Sequence, residues 1–263
     1  MMIPAVDLAG GGSMPLVGFG TWQLRGRAAY QAVRAALDAG YRHLDTATMY
    51  GNEADVGRAL RDSGVPRGDV FVTTKLQPSA AGRERSTIAA SLRSLGTGYV
   101  DLWLVHWPPP SRALLSTWRE FLAVRDDGLA RSVGVSNYST GQLDELISAT
   151  GQAPAANQIP WSPYQHDARR LADSRERGVV LEGYSPLKGT NLRDQVLVDI
   201  ASGHGVTVAQ VVLRWHVQHG IPVIPKSADP GRIVANLDLF GFSLTPDEMA
   251  QVDALSGDRH RRR

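Results

Sequence analysis

The chain has 263 residues, 43% hydrophobic and 21% charged, with 28 basic against 26 acidic residues and no cysteine. That length and apolar content suit a packed core of α/β-barrel size and exclude a disordered chain. The missing cysteine excludes disulfides, thiolate metal sites and a cysteine nucleophile.

The opening MMIPAVDLAGGGS has no basic segment and meets Asp7 and Gly10 early, so no signal peptide is expected. Strand-like runs Ala5–Leu8 and Met14–Val17 flank Gly10, Gly11 and Gly12, which is a hairpin signal. Val17–Phe19 then predicts a strand and Arg27–Ala39 a helix. His43–Ala47 is a strand, Glu53–Asp62 a helix, Val70–Leu76 a strand and Arg83–Leu95 a helix. The very apolar Tyr99–His106 is a strand followed by a helix over Ala113–Arg125. Strand Ser132–Val135 precedes helix Thr140–Ala149, and strands Ala156–Ile159 and Val179–Tyr184 flank a helix at Arg169–Arg177. Helices Gln195–Ser202 and Val208–Gln218 lead to strand Pro222–Ile224, and helices at Pro230–Leu237 and Pro246–Leu255 follow. Four arginines, Arg259, Arg261, Arg262 and Arg263, end the chain; without them 24 basic residues (28 − 4) face 26 acidic ones. Residues 256–263 therefore read as a flexible, solvated basic tail, and no nucleic-acid partner is expected. No apolar run approaches the roughly 18 residues of a membrane span, so no membrane partner is expected either. A cytoplasmic monomer is the expectation.

Counted from Val17, eight strands nearly all followed by helices predict an α/β fold, a single (β/α)8 TIM barrel over 1–263. Residues 1–17 form its N-terminal hairpin region and extra helices lie near the C-terminal end. No glycine-rich phosphate fingerprint follows the first strand, which makes a doubly wound dinucleotide fold the lesser reading.

In such a barrel the polar residues that end the strands converge on one mouth. Read in order these are Asp45, Lys75, His106, Ser136 and Asn137, Gln158, Tyr184 and Lys226. The first four recur about every 30 residues, one β/α unit each. Together with Tyr50 they suggest a proton donor. A phenol of ordinary pKa about 10 is a poor acid at neutral pH. A neighbouring ammonium stabilises the phenolate and is expected to lower that pKa. A carboxylate would hold the ammonium in place, and a histidine would orient a substrate oxygen. This set suits protonation of an oxygen that gains negative charge, as a carbonyl does under hydride attack. A metal site is not expected, because only one carboxylate and one histidine are so arranged. A Schiff-base lyase using Lys75 is a competing reading, one that would want the amine desolvated and unpaired.

These stretches resemble the aldo-keto reductase family: GFGTW (Gly18–Trp22), HLDTATMYGNEADVGRAL (His43–Leu60), TTKL (Thr73–Leu76), DLWLVHWP (Asp101–Pro108), VGVSN (Val133–Asn137), NQIPWSP (Asn157–Pro163), YSPL (Tyr184–Leu187), QVVLRW (Gln210–Trp215) and IPKS ending at Ser227. They fall in family order over about residues 4–255, in the style of bacterial 2,5-diketo-gluconate reductases. The resemblance implies NADPH-dependent reduction of small aldehydes or ketones, with alcohol oxidation as the reverse. Tyr50 would be the acid, assisted by Lys75 and Asp45, with His106 orienting the carbonyl. It implies that Ser136, Asn137 and Gln158 bind the carboxamide, that Tyr184 stacks on the nicotinamide, and that Thr21 lies near its ribose. Ser185 and Leu187 would contact the pyrophosphate, Lys226, Ser227 and Arg232 the adenosine 2′-phosphate, and Asn236 the adenine. Asp229 stands where relatives usually carry a non-acidic residue, which admits NADH as well, and Ala235 replaces a common glutamate. Trp22, Met49, Gln77 and Trp107 would line the substrate pocket, with Trp161 placed either near the mouth or in the core. The short segment after His106 and the short run after Leu255 imply a shallow, weakly selective pocket. The alternative is a nicotinamide-dinucleotide-binding regulatory protein with little turnover.

Overall fold

The computed structural model describes residues 3–257; the arginine-rich end expected to be a tail lies outside them. Strands β1 (Ala5–Asp7) and β2 (Ser13–Pro15) form the antiparallel hairpin, with Val6 opposite Met14. A parallel sheet follows in chain order: β3 (Phe19–Gly20), β4 (His43–Asp45), β5 (Phe71–Leu76), β6 (Val100–Val105), β7 (Ala130–Ser136), β8 (Ala156–Pro160) and β9 (Val180–Tyr184). The eighth strand expected at Pro222–Ile224 is reduced to isolated parallel bridges of Val223 to Val17 and Gly183. It still closes the barrel, because Gly18 N–H donates to Val223 O at 2.9 Å and Gly183 N–H to Pro222 O at 2.8 Å. Proline at 222 and 225 removes the donors that a longer strand would need. Gly20 sits at this seam, where a Cβ would meet Ile224 O at 2.9 Å.

Helices α1 (Gly26–Ala39), α2 (Glu53–Ser63), α3 (Glu84–Leu95), α4 (Ser111–Asp126), α5 (Thr140–Thr150) and α6 (Ala168–Glu176) each join successive strands. After β9 come α7 (Gln195–His204) and α8 (Val208–Gln218), and beyond Val223 lie α9 (Pro230–Ala235) and α10 (Pro246–Ala254). Ser139, Thr207 and Thr245 close capping boxes with Gln142, Gln210 and Glu248, which fixes where α5, α8 and α10 begin. No single helix among the described residues is long and apolar enough to cross a membrane.

Side chains alternate across each strand. Outward-facing Leu44, Val72, Trp103, Val133 and Val135 build the main core with the helices, where Trp103 stacks flat on Phe121 of α4 at 3.8 Å. Inside the barrel, Leu102, Leu104, Phe71 and Ala156 pack with Leu8 and Met14, so the hairpin seals the floor. Above that floor the interior turns polar, with Asp45, Lys75, Gln158 and Glu182 buried there.

Candidate active site

Asp45 ends β4 and Lys75 lies one strand over in β5; both are almost wholly buried. Lys75 Nζ donates to both Asp45 carboxylate oxygens, at 2.6 and 2.7 Å, to Thr46 O at 3.0 Å and to Tyr50 Oη at 3.4 Å. Burial works against the ammonium, but Asp45 and then Tyr50 hold its pKa above the ordinary lysine value. A paired, charged amine is not a nucleophile, which counts against the Schiff-base reading.

Tyr50 closes a 3-10 turn, Thr48–Tyr50, and Gly51 leaves it with φ 66°. The surrounding sequence explains why the turn holds. Thr48 Oγ1 donates to Lys75 O at 2.9 Å, and Thr46 Oγ1 to Asn52 Oδ1 at 2.7 Å. Asn52 Nδ2 in turn donates to the Thr21 and Leu24 carbonyls, both at 2.9 Å. The polar letters of DTATMYGN are thus the braces of the phenol. The expected net lowering of the Tyr50 pKa is not found. Lys75 does draw the Tyr50 pKa down, but burial is the larger effect and, with Asp45, leaves it above the ordinary phenol value. The resting phenol is therefore protonated, the form that a general acid requires.

His106 follows β6, with its ring edge-on to Tyr50 at 5.6 Å. Burial, then the Lys75 charge, lower its pKa to about 4, so it is a neutral imidazole at pH 7. Its Nδ1 is buried without a partner, which leaves Nε2 as the nitrogen open to the cavity.

These groups form one wall of a cavity of about 610 Å³ at the strand C-terminal ends. Asp45, Tyr50, His106, Trp22, Met49, Trp107, Ser136, Asn137, Gln158, Tyr184, Ser185, Leu187 and Lys226 all line it, as the sequence led us to expect. Trp22, Met49 and Trp107 are about half-exposed, unusual for such large apolar groups, and they give the mouth an apolar lip. Lys75 lies just beneath the wall. Thr21 is wholly buried, its hydroxyl committed to Asp45 O at 2.9 Å. Gln77, Ser227, Arg232 and Asn236 are not among the lining residues, and Trp161 is buried in the core between β8 and α8. Sequence reasoning missed Gln23 and Lys188, which also line the cavity; Lys188 Nζ sits 5.4 Å from the Trp22 ring. Among the described residues only Gln23, Asn137 and Ser185 combine a side chain beyond glycine with positive φ, at 65°, 64° and 55°. All three border this cavity. The strained backbone is thus collected around one cavity.

Behind the wall, the Gln158 side-chain nitrogen donates to Asp45 Oδ2 at 2.8 Å and to Glu182 Oε2 at 2.9 Å. Both its hydrogens point inward, and among the described residues no donor reaches its Oε1. Glu182, fully buried in β9, was not flagged by the sequence reading, although a lone carboxylate inside VVLEGY was the available signal. Burial, then the Asp45 charge, push its pKa up to about 8. Between about 4.5 and 8 the unfolded chain has released this proton and the folded chain keeps it, so stability falls as pH rises through that window. Glu182→Gln should remove that slope: above pH 8 the variant is more stable than the parent by on the order of a few kcal/mol, with convergence towards pH 4. Urea unfolding at pH 5 and pH 9 checks this; parallel pH profiles for the two proteins would contradict it.

A sequence model of the Aldo/keto reductase family matches residues 16–256. The chain belongs to the aldo/keto reductase family. It is 46% identical over 260 residues to 2,5-diketo-D-gluconic acid reductase B of Corynebacterium sp., covering 97% of this chain and 93% of that one. The aldo/keto reductase structure from Brucella melitensis superposes with a TM-score of 0.93 at 42% identity, covering 97% of this chain and all of that one. A Bombyx mori aldo-keto reductase solved with NADP gives a TM-score of 0.90 at 32% identity, covering 97% and 93%. The closed barrel read from the sequence is thus the family's architecture.

Proposed function

We propose that this aldo/keto reductase reduces small aldehydes and ketones with NADPH, Tyr50 protonating the carbonyl oxygen. The observation that carries this reading is the cavity-facing phenol 3.4 Å from a buried ammonium that Asp45 holds charged. A second support is the family's NADP-bound Bombyx structure. The residues present fit a nicotinamide dinucleotide. Gln158 Oε1 is an acceptor without a protein donor at the cavity wall, suited to a carboxamide N–H. The half-buried Tyr184 ring is pinned by its hydroxyl to Asn137 Oδ1 at 2.9 Å, and so offers a fixed aromatic face.

Ser136, Asn137 and Gln158 would hold the carboxamide, and Ser185 and Leu187 the pyrophosphate region. Lys226, Ser227 and Arg232 would grip the 2′-phosphate, with Asn236 near the adenine. When bound, the reduced nicotinamide supplies a hydride to the carbonyl carbon. Neutral His106 donates to the carbonyl oxygen and orients it. As that oxygen becomes negative, Tyr50 gives up its proton, and the Lys75 ammonium stabilises the phenolate that remains. Trp22, Met49 and Trp107 form an apolar lip that admits varied carbonyl compounds. The Corynebacterium relative, named for a diketo acid, supports substrates of ketone type.

Asp229 is less of an obstacle to a 2′-phosphate than its charge suggests. It caps α9, its Oδ1 accepting from Arg232 N–H at 2.8 Å and lying 3.9 Å from Arg232 Nε. Two cations and a hydroxyl should then favour NADPH over NADH by about tenfold or more. Fluorescence titration with both cofactors, followed by NADPH oxidation over an aldehyde and ketone panel, tests the whole reading. Equal affinities would remove the 2′-phosphate assignment. Tight NADPH binding with no oxidation by any carbonyl would favour a regulatory protein instead.

A further inference from the structure

On the flank of the barrel, outside the cavity lining, three elements bring two imidazoles and a carboxylate together. His166 follows the 3-10 turn Pro163–Gln165 after β8, His219 caps the end of α8, and Asp253 lies in α10. One ligand atom from each lies within 4.8 Å of the others. His219 Nε2 is 2.8 Å from Asp253 Oδ1, and His166 Nδ1 is 3.8 Å from the same oxygen. An ion pair would account for His219 and Asp253. His166 comes within ion-pair range of the same oxygen but too far for a hydrogen bond: its side chain is only 8% exposed, and its Nδ1 is buried without a hydrogen-bond partner. A buried polar nitrogen left unpaired is costly, and a cation at this point would satisfy it.

We propose that His166, His219 and Asp253 form a binding site for a single divalent transition-metal ion of the zinc type. Tetrahedral ligands at about 2.1 Å from zinc stand about 3.4 Å apart, between the 2.8 and 3.8 Å separations found here. Two nitrogens and one oxygen select zinc, cobalt, nickel or copper over magnesium and calcium, which prefer oxygen throughout. Water would complete the fourth position. The carboxylate is already braced, since the Trp215 indole N–H donates to Asp253 Oδ1 at 2.7 Å. Stacking fixes the two imidazoles as well, their centroids 5.4 Å apart. Asp253, 32% exposed, gives the ion a way in from solvent. A metal here would tie α10 to α8 and to the loop after β8, and so act on stability at a distance from the reacting groups.

The test is calorimetric titration of untagged, chelator-treated protein with zinc chloride, alongside thermal melts. We expect one equivalent bound and a Tm raised by about 5 °C at a hundredfold excess over Kd. H166Q and H219Q, whose secondary structure is checked by circular dichroism, should each weaken binding by about a hundredfold or more. Co2+ should give the visible absorption of a four-coordinate ion in the parent protein and lose it in both variants. No binding up to about 100 µM metal, or binding undiminished in the folded variants, would overturn the proposal. If one variant fails to fold, the other decides, because they alter different elements.

Discussion

Tyr50→Phe should lower kcat for aldehyde reduction by about 10²- to 10⁴-fold, the range that a positioned general acid contributes, while NADPH affinity stays within a few-fold of the parent. The substitution removes one oxygen. The ring remains on its 3-10 turn, braced by Thr48 and Asn52, and keeps its edge contact with His106. Lys75 keeps Asp45 and the Thr46 carbonyl. What is lost is the proton that the substrate oxygen needs as charge develops on it. Water or His106 would support the residual rate, and His106, with a pKa near 4, is protonated too little at neutral pH to replace the phenol. Steady-state kinetics with a cofactor titration separate the two roles. A variant within tenfold of the parent in kcat would end the assignment of Tyr50 as the acid.

Lys75→Met carries the largest expected cost in stability, about 3–5 kcal/mol, because it strands the Asp45 carboxylate inside the barrel. Asp45 would keep one hydrogen bond from Gln158 at 2.8 Å but lose both from the ammonium. Its other close carboxyl neighbour through Gln158 is Glu182, whose pKa is pushed up to about 8; it is therefore uncharged at neutral pH and brings no cation to replace the ammonium. Asp45→Asn added to Lys75→Met removes the unpaired charge and should recover much of the loss, although neither variant should turn over. Urea unfolding of the single and double variants reads this directly. If Lys75→Met is as stable as the parent, the buried pair is not the closed unit described here.

The architecture was legible because inward and outward residues differ in kind. Runs such as FVTTK and DLWLVH end their apolar stretch in one charged or polar residue; His106 lines the cavity and Lys75 lies just beneath its wall. Tyr50 was legible through the local sequence that braces it. The eighth strand was read as longer than it is, since prolines at 222 and 225 leave only Val223 to pair on both sides. The sign of the Tyr50 shift was misjudged because the sequence names the ammonium beside it but not the depth of burial. Glu182 escaped notice for a related reason: an acidic residue inside a strand looks like an interruption until its partner Gln158 is seen. His166, His219 and Asp253 have no regular spacing, and only the packing of α10 against the end of α8 and the turn after β8 brings them together. Gln77, expected at the pocket, precedes the 3-10 turn Pro78–Ala80 and lies outside the lining.

The hairpin floor has a further consequence, for ionic strength. With Leu8 and Met14 plugging the lower end, mobile ions reach the interior charges only from above, and Asp45 and Lys75 lie too deep to be surrounded by them. Their attraction is therefore nearly independent of added electrolyte. Arg232, 78% exposed, sits within the ionic atmosphere, and its attraction to any anion is screened by it. On the proposed reading, proton transfer at Tyr50 would be insulated from the medium, whereas a 2′-phosphate held by Arg232 would respond to its salinity.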